Sequence, residues 1–142
     1  MRAPVLSIPR EAGISFAINA TLSLAFFLAV FGLDRRALSW AMPDALAFDF
    51  VPQSIAVSLM SALVPALIVR KRFAIAIGLR SIVLRAIAFA LAGAALGGLT
   101  AFVTGRAALS PVDWHAALAM KLAYGGALGA FITSLTLQRM TR

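Results

Sequence analysis

The chain has 142 residues, of which 62% are hydrophobic and only 13% charged, with a formal net charge of +8. A soluble domain is usually about 45–50% apolar and about a quarter charged, and a chain this short has too little interior to hide so much apolar surface. An ordinary soluble enzyme and a disordered chain are therefore excluded, and the solvent that fits is a lipid bilayer.

Four stretches reach the roughly 20 apolar residues that a spanning helix needs. The first covers residues 12–33 and carries no charge. Ser15, Asn19 and Ser23 stand four residues apart within it, on one helical face. Its 22 apolar residues exceed the 7–15 of a signal-peptide core, so it reads as a retained span. The connection that follows holds Trp40, a residue favoured at headgroup level. The second span, 50–69, has Pro52 in its first turn and Pro65 deeper, where a kink is expected. It carries Gln53, Ser54, Ser58 and Ser61 as a second polar stripe.

Next comes a basic loop with Arg70, Lys71, Arg72, Arg80 and Arg85 around an apolar stretch, 73–79. Such a cluster beside a span suits contact with anionic lipid headgroups. The third span covers about 84–104 and contains Gly93 and Gly97; the fourth covers 116–137 and contains Gly125 and Gly129. Glycines four apart let two helix backbones approach closely, and the expected partners are the third and fourth helices themselves. Before the fourth span, Ser110 with Pro111 and Asp113 reads as a helix start capped by Ser110. Lys121 is the one ionisable residue inside a span, placed to snorkel outward or to pair with Asp49 or Asp113.

The fold class is thus all-α: one domain of four transmembrane helices. With the N-terminus inside, the inner segments hold nine cations (Arg2, Arg10, Arg70, Lys71, Arg72, Arg80, Arg85, Arg139, Arg142). The outer segments hold four: Arg35, Arg36, Arg106 and Lys121. The positive-inside rule then places both termini in the cytoplasm, and the basic pI of about 11.8 becomes an orientation signal. Residues 31–39 also match residues 102–110 at five of nine positions, an offset of 71. That suggests two tandem helical hairpins in parallel orientation.

Little chemistry is legible. There is no cysteine, and His115 is the sole histidine, so no multi-histidine metal centre and no thiolate site can be built. The chain lacks GxSxG, HExxH and Walker A patterns and a carboxylate pair within a span. No enzyme activity and no cofactor is expected. The basic charge comes without a nucleic-acid recognition motif, so no nucleic-acid partner is expected either. In size and helix count the chain resembles the small multidrug resistance exporters. That resemblance would imply a membrane-embedded glutamate in the first helix, yet residues 12–33 hold no acid, and Asn19 cannot couple protons. No family is assigned on it. The leading reading is a small multi-pass protein of the bacterial inner membrane, with an accessory, assembly or lipid-interacting role, working within a homodimer or larger complex. The alternative is a small homo-oligomeric transporter or channel, its polar path lined by Asn19, Ser23, Ser58 and Ser61 and coupled to Lys121.

Overall fold

The computed structural model describes residues 5–142; Arg2, one of the inner cations counted above, lies outside them. Four helices account for most of the chain: α1 (Ile8–Phe31), α2 (Phe50–Arg72), α3 (Leu79–Arg106) and α4 (Trp114–Met140). α2, α3 and α4 overrun their apolar stretches, because the arginines that flank them are good helix formers, whereas α1 starts earlier than expected and stops at Phe31, where Gly32 takes a positive φ. All four are long and apolar enough to cross a membrane. At 1.5 Å per residue even α2, with 23 residues, reaches about 35 Å, against a hydrocarbon core of about 30 Å. α2 runs on through Pro65 as one helix.

The helices do not pack in chain order. α1 lies along α4, α3 lies along α2, and α2 and α4 touch across the middle, while α1 and α2 meet only at a few positions. α2 and α4 thus form the middle of the bundle, with α3 and α1 packed on them. The expected pairing of α3 with α4 is therefore replaced by two other seams. Gly93 and Gly97 of α3 face Ser58 and Ser54 of α2, and Gly125 and Gly129 of α4 face Ser23 and Asn19 of α1. A glycine stripe says that a helix can be approached closely, not by which neighbour.

This arrangement maps onto itself when α1 is exchanged with α3 and α2 with α4. Leu38 and Val112 form an antiparallel bridge, exchanging both N–H···O bonds at 2.8 and 2.9 Å. Trp40 Nε1 donates to Ser110 O, and Trp114 Nε1 donates to Gly32 O, both at 3.1 Å. Both equivalent pairs, Leu38 with Val112 and Trp40 with Trp114, are 74 residues apart (112 − 38 and 114 − 40). In the second helix of each hairpin the spacing is 71: the buried positions Phe50, Ser54, Ser58, Ala62, Ala66 and Val69 correspond to the buried Lys121, Gly125, Gly129, Thr133, Leu137 and Met140. The five-residue match at offset 71 over residues 31–39 is thus out of step with the structural pairing there, which runs at 74. The three extra residues of the first hairpin fall between Trp40 and Phe50, in irregular turns.

The interior is layered along the helix axes. One end is a hydrophobic cap: Phe27, Phe31, Leu38, Leu46, Trp114 and Ala117 are buried together, with Trp114 set edge-on to Phe27 at 5.5 Å between centroids. The other end, where α1 begins and α4 finishes, is a second apolar cluster of Ala66, Val69, Ile82, Leu137 and Met140. Phe73, Ile75 and Ile77 pack onto it, so the apolar part of the basic loop closes this end of the bundle. Between the two caps the buried residues are largely small or polar.

One local expectation at the first cap is corrected. The N-cap of α4 is Asp113, whose carboxylate accepts from the His115 and Ala116 backbone N–H groups at 3.0 and 3.4 Å. Pairing with Leu38 holds Val112 extended, so the helix starts only at Trp114 and Ser110 is left to receive Trp40. Trp114 is only 6% exposed, and together with Trp40 it fastens the α1–α2 connection to the α3–α4 connection.

Candidate functional site: a polar network at mid-bundle

The residues that could carry chemistry converge where α1, α2 and α4 meet. From α1 come Ser15, Asn19 and Ser23, one turn apart on the buried face. From α2 come Gln53, Ser54, Ser58 and Ser61. From α4 come Lys121, Tyr124 and Thr133. The first and last of these share a stripe with Gly125 and Gly129, a spacing of four that brings them to one face.

Asn19 is the hub. Its Nδ2 donates to Ser15 O at 2.8 Å and lies 3.0 Å from Ser61 Oγ on α2. Thr133 Oγ1 of α4 donates to Ser15 Oγ at 2.8 Å. It also lies 3.2 Å from the Ser61 carbonyl. One turn or so toward the Trp114 end, Gln53 Nε2 donates to Ser23 Oγ at 3.0 Å and to the Lys121 carbonyl at 2.9 Å. Ser54 Oγ shares a short hydrogen bond with Tyr124 OH. Three helices are thus joined by side-chain hydrogen bonds. Beside α4, the glycines make this closeness feasible, since a Cβ on Gly125 or Gly129 would overlap Ser23 or Asn19. A Cβ on Gly97 would sit 2.7 Å from the Phe50 carbonyl oxygen, which belongs to the backbone and cannot step aside.

Lys121 does not snorkel. Its side chain is 3% exposed and its ammonium lies 2.8 Å from Asp49 Oδ2, an ion contact whose angle falls outside hydrogen-bond geometry. The same nitrogen sits 4.0 Å above the centroid of the Phe50 ring. Of the two carboxylates open to it in sequence, Asp49 is the partner, because Asp113 is taken up by the α4 cap. Among the buried side-chain atoms, Gln53 Oε1, Ser58 Oγ and Thr136 Oγ1 have no hydrogen-bond partner.

Of the four proposed path residues, Asn19, Ser23 and Ser61 enter the network, whereas Ser58 faces Gly93 of α3. Tyr124 had no sequence signal of its own, being a single polar residue in an apolar run, whereas Thr133 continues the spacing of four set by Lys121, Gly125 and Gly129.

Two grooves flank the core. Between α1 and α2 lies a hollow of about 130 Å³ lined by Asn19, Ser23, Gln53, Leu22, Phe26 and Met60. A second, of about 180 Å³, continues past Asn19 to Ser15, Ser61 and Pro65. The equivalent groove between α3 and α4, about 240 Å³, is walled by Phe89, Leu96, Leu128 and Phe131.

The basic residues Arg70, Lys71, Arg72, Arg80 and Arg85 all lie toward the end where the chain termini meet, and all but the half-buried Arg70 are exposed. The structure brings Arg85 beside Arg139 of α4, a neighbour that sequence reasoning missed because 54 residues separate them (139 − 85). Among the described residues no cluster of three or more His, Asp or Glu side chains could hold a metal ion. His115 stands exposed 3.5 Å from Asp113. Compared with protein-family models, curated proteins and solved structures, the chain matches none.

Proposed function

We propose that this is a small multi-pass protein of the bacterial inner membrane, with both termini cytoplasmic, that acts without catalysis as an accessory, assembly or lipid-interacting component. Four apolar helices are compatible with a small membrane protein. The large outward-facing side chains, such as Phe26, Leu91, Phe102 and Phe131, suit contact with acyl chains. The cation count favours the stated orientation. The observation that carries the reading is the use of the mid-bundle polar groups: Asn19, Ser15, Ser61 and Thr133 bond to one another and so hold helices together. The reciprocal outer contacts support an origin as a duplicated hairpin. A homodimer or larger complex is its expected working form, and the lipid surface its expected partner.

The second reading, a small oligomeric transporter, is favoured by one observation: Asn19, Ser23 and Gln53 line a hollow that opens between α1 and α2. One experiment separates the two. Asn19→Leu in purified, liposome-reconstituted protein should lower the thermal midpoint, and neither wild type nor variant should pass small cations or neutral solutes. Flux through the wild type that Asn19→Leu abolishes at unchanged stability would establish the transporter instead. Reporter fusions after Arg72 and Arg106 should read cytoplasmic and external; the reverse pattern overturns the orientation.

A further inference from the structure

The two lateral grooves are equivalent by position but not by charge. At the end near the chain termini, the α3–α4 groove is flanked by Arg85 and Arg139, which line one hollow with Phe89 and Ala92. Phe89 and Ala92 also line the apolar hollow that continues toward Leu96 and Phe131, so the two form one continuous trough. The positions that correspond in the α1–α2 groove, by the spacings of 74 and 71, are Glu11 and Ile68 (85 − 74 and 139 − 71). One groove therefore ends in an acid and an apolar residue, the other in two guanidinium groups. Both arginines are exposed, and among the described residues neither forms an ion pair with a carboxylate. Arg139 is held in place over the Phe89 ring, 5.8 Å from its centroid.

The length of the trough matches one leaflet. From Arg85 to Leu96 is eleven residues of α3, about 16 Å at 1.5 Å per residue. Half of a hydrocarbon core is about 15 Å. An apolar trough one leaflet deep with two cations at its headgroup end is complementary to a single anionic phospholipid. We propose that the α3–α4 groove is a seat for one such lipid, drawn from the leaflet on the side of the basic loop. Its phosphodiester lies between Arg85 and Arg139, and an acyl chain runs along Phe89, Ala92 and Leu96. This rests on the membrane reading above and narrows its lipid-interacting role to one groove.

The test is native mass spectrometry of the full chain released from nanodiscs of phosphatidylglycerol and phosphatidylcholine, mixed equally and with identical acyl chains. One phosphatidylglycerol per chain should be retained in preference to phosphatidylcholine. Arg85→Gln with Arg139→Gln should lower that preference by roughly thirtyfold, the worth of two surface cations. Both side chains are exposed, so the thermal midpoint should not move. Ala92→Phe, which fills the trough, should expel the lipid with the cations intact. Arg106→Gln, an exposed cation at the far end of α3, should leave retention unchanged. Equal retention of the two lipids, an unaffected double variant, or loss caused by Arg106→Gln would each overturn the seat. So would a lipid-free dimer joined through this groove. A chain that washes out of membranes at alkaline pH would instead overturn the membrane reading itself, which keeps the two failures distinct.

Discussion

The Trp114 end of the bundle and its middle are built on opposite principles. At the end, Phe27, Phe31, Leu38, Leu46 and Trp114 form the kind of apolar cluster found inside soluble proteins. In the middle, Ser, Asn, Thr and Gly make many of the contacts, beside a small cluster of Ala62, Ala86 and Ile132. The difference follows from the solvent proposed for each. Where connections meet water, burying apolar surface is favourable and large side chains fill the core. Within lipid, a leucine gains nothing by leaving acyl chains for a helix interface, so adhesion comes from close backbone approach and hydrogen bonds.

That contrast can be broken, starting with the largest expected effect. Trp114→Ala removes a buried ring and its bond to Gly32, and should cost about 3–5 kcal/mol, read as a drop in thermal midpoint in detergent. A loss no larger than that of the mid-bundle variants would erase the distinction between the regions. Gly97→Val comes next. It pushes a branched side chain against the Phe50 backbone and should cost about 1–3 kcal/mol. Gly98→Val, with open space around it, should be close to neutral; equal effects would mean that helix propensity and not packing is being measured.

The hydrogen-bonded seam should respond more gently. A double-mutant cycle of Asn19→Ala and Ser61→Ala should give a coupling energy of about 0.6 kcal/mol, the usual scale inside membrane proteins. A coupling of several kcal/mol would mean that the network does more than hold helices together.

The smallest effect belongs to the α1–α2 connection, in the turn before α2. The Arg36 guanidinium, aided by the Ser39 backbone N–H, holds the Asp44 carboxyl well below the usual carboxylate range. Arg36 Nη1 lies 3.0 Å from Asp44 Oδ2, and Ser39 N lies 2.9 Å from the same oxygen. A carboxyl with a depressed folded pKa contributes stability that is complete above its unfolded value, about 3.9, and fades as pH falls toward the lower folded value. Acidification below about pH 4 should therefore loosen this turn first, seen in the fluorescence of Trp40. Asp44→Asn should remove that pH dependence.

How much was readable in advance depended on how local each signal was. The four helices were legible because uninterrupted apolar runs of this length have one economical backbone solution in lipid. The stripe of Ser15, Asn19 and Ser23 was legible as a face because its spacing is that of the helix itself. What it faces was not. Asn19 reaches Ser61 across 42 residues, and Gly129 packs on Asn19 across 110 (129 − 19). Ser110 failed as a cap for the same reason: its local pattern was sound, but a bridge from Leu38 to Val112 kept the preceding residues extended.

The amino-acid sequence by itself determined the number of helices, their approximate ends, the uneven distribution of cations and the faces on which small and polar residues lie. These are consequences of composition and of the 3.6-residue period, which act within a segment. The tertiary structure alone decided that α3 turns to α2 and α4 to α1, that Lys121 points inward to Asp49, and that Arg139 stands beside Arg85. A glycine face or a buried amide only states a demand for a close or polar neighbour. Several helices could meet it, and the choice is made by the packing that satisfies all four at once.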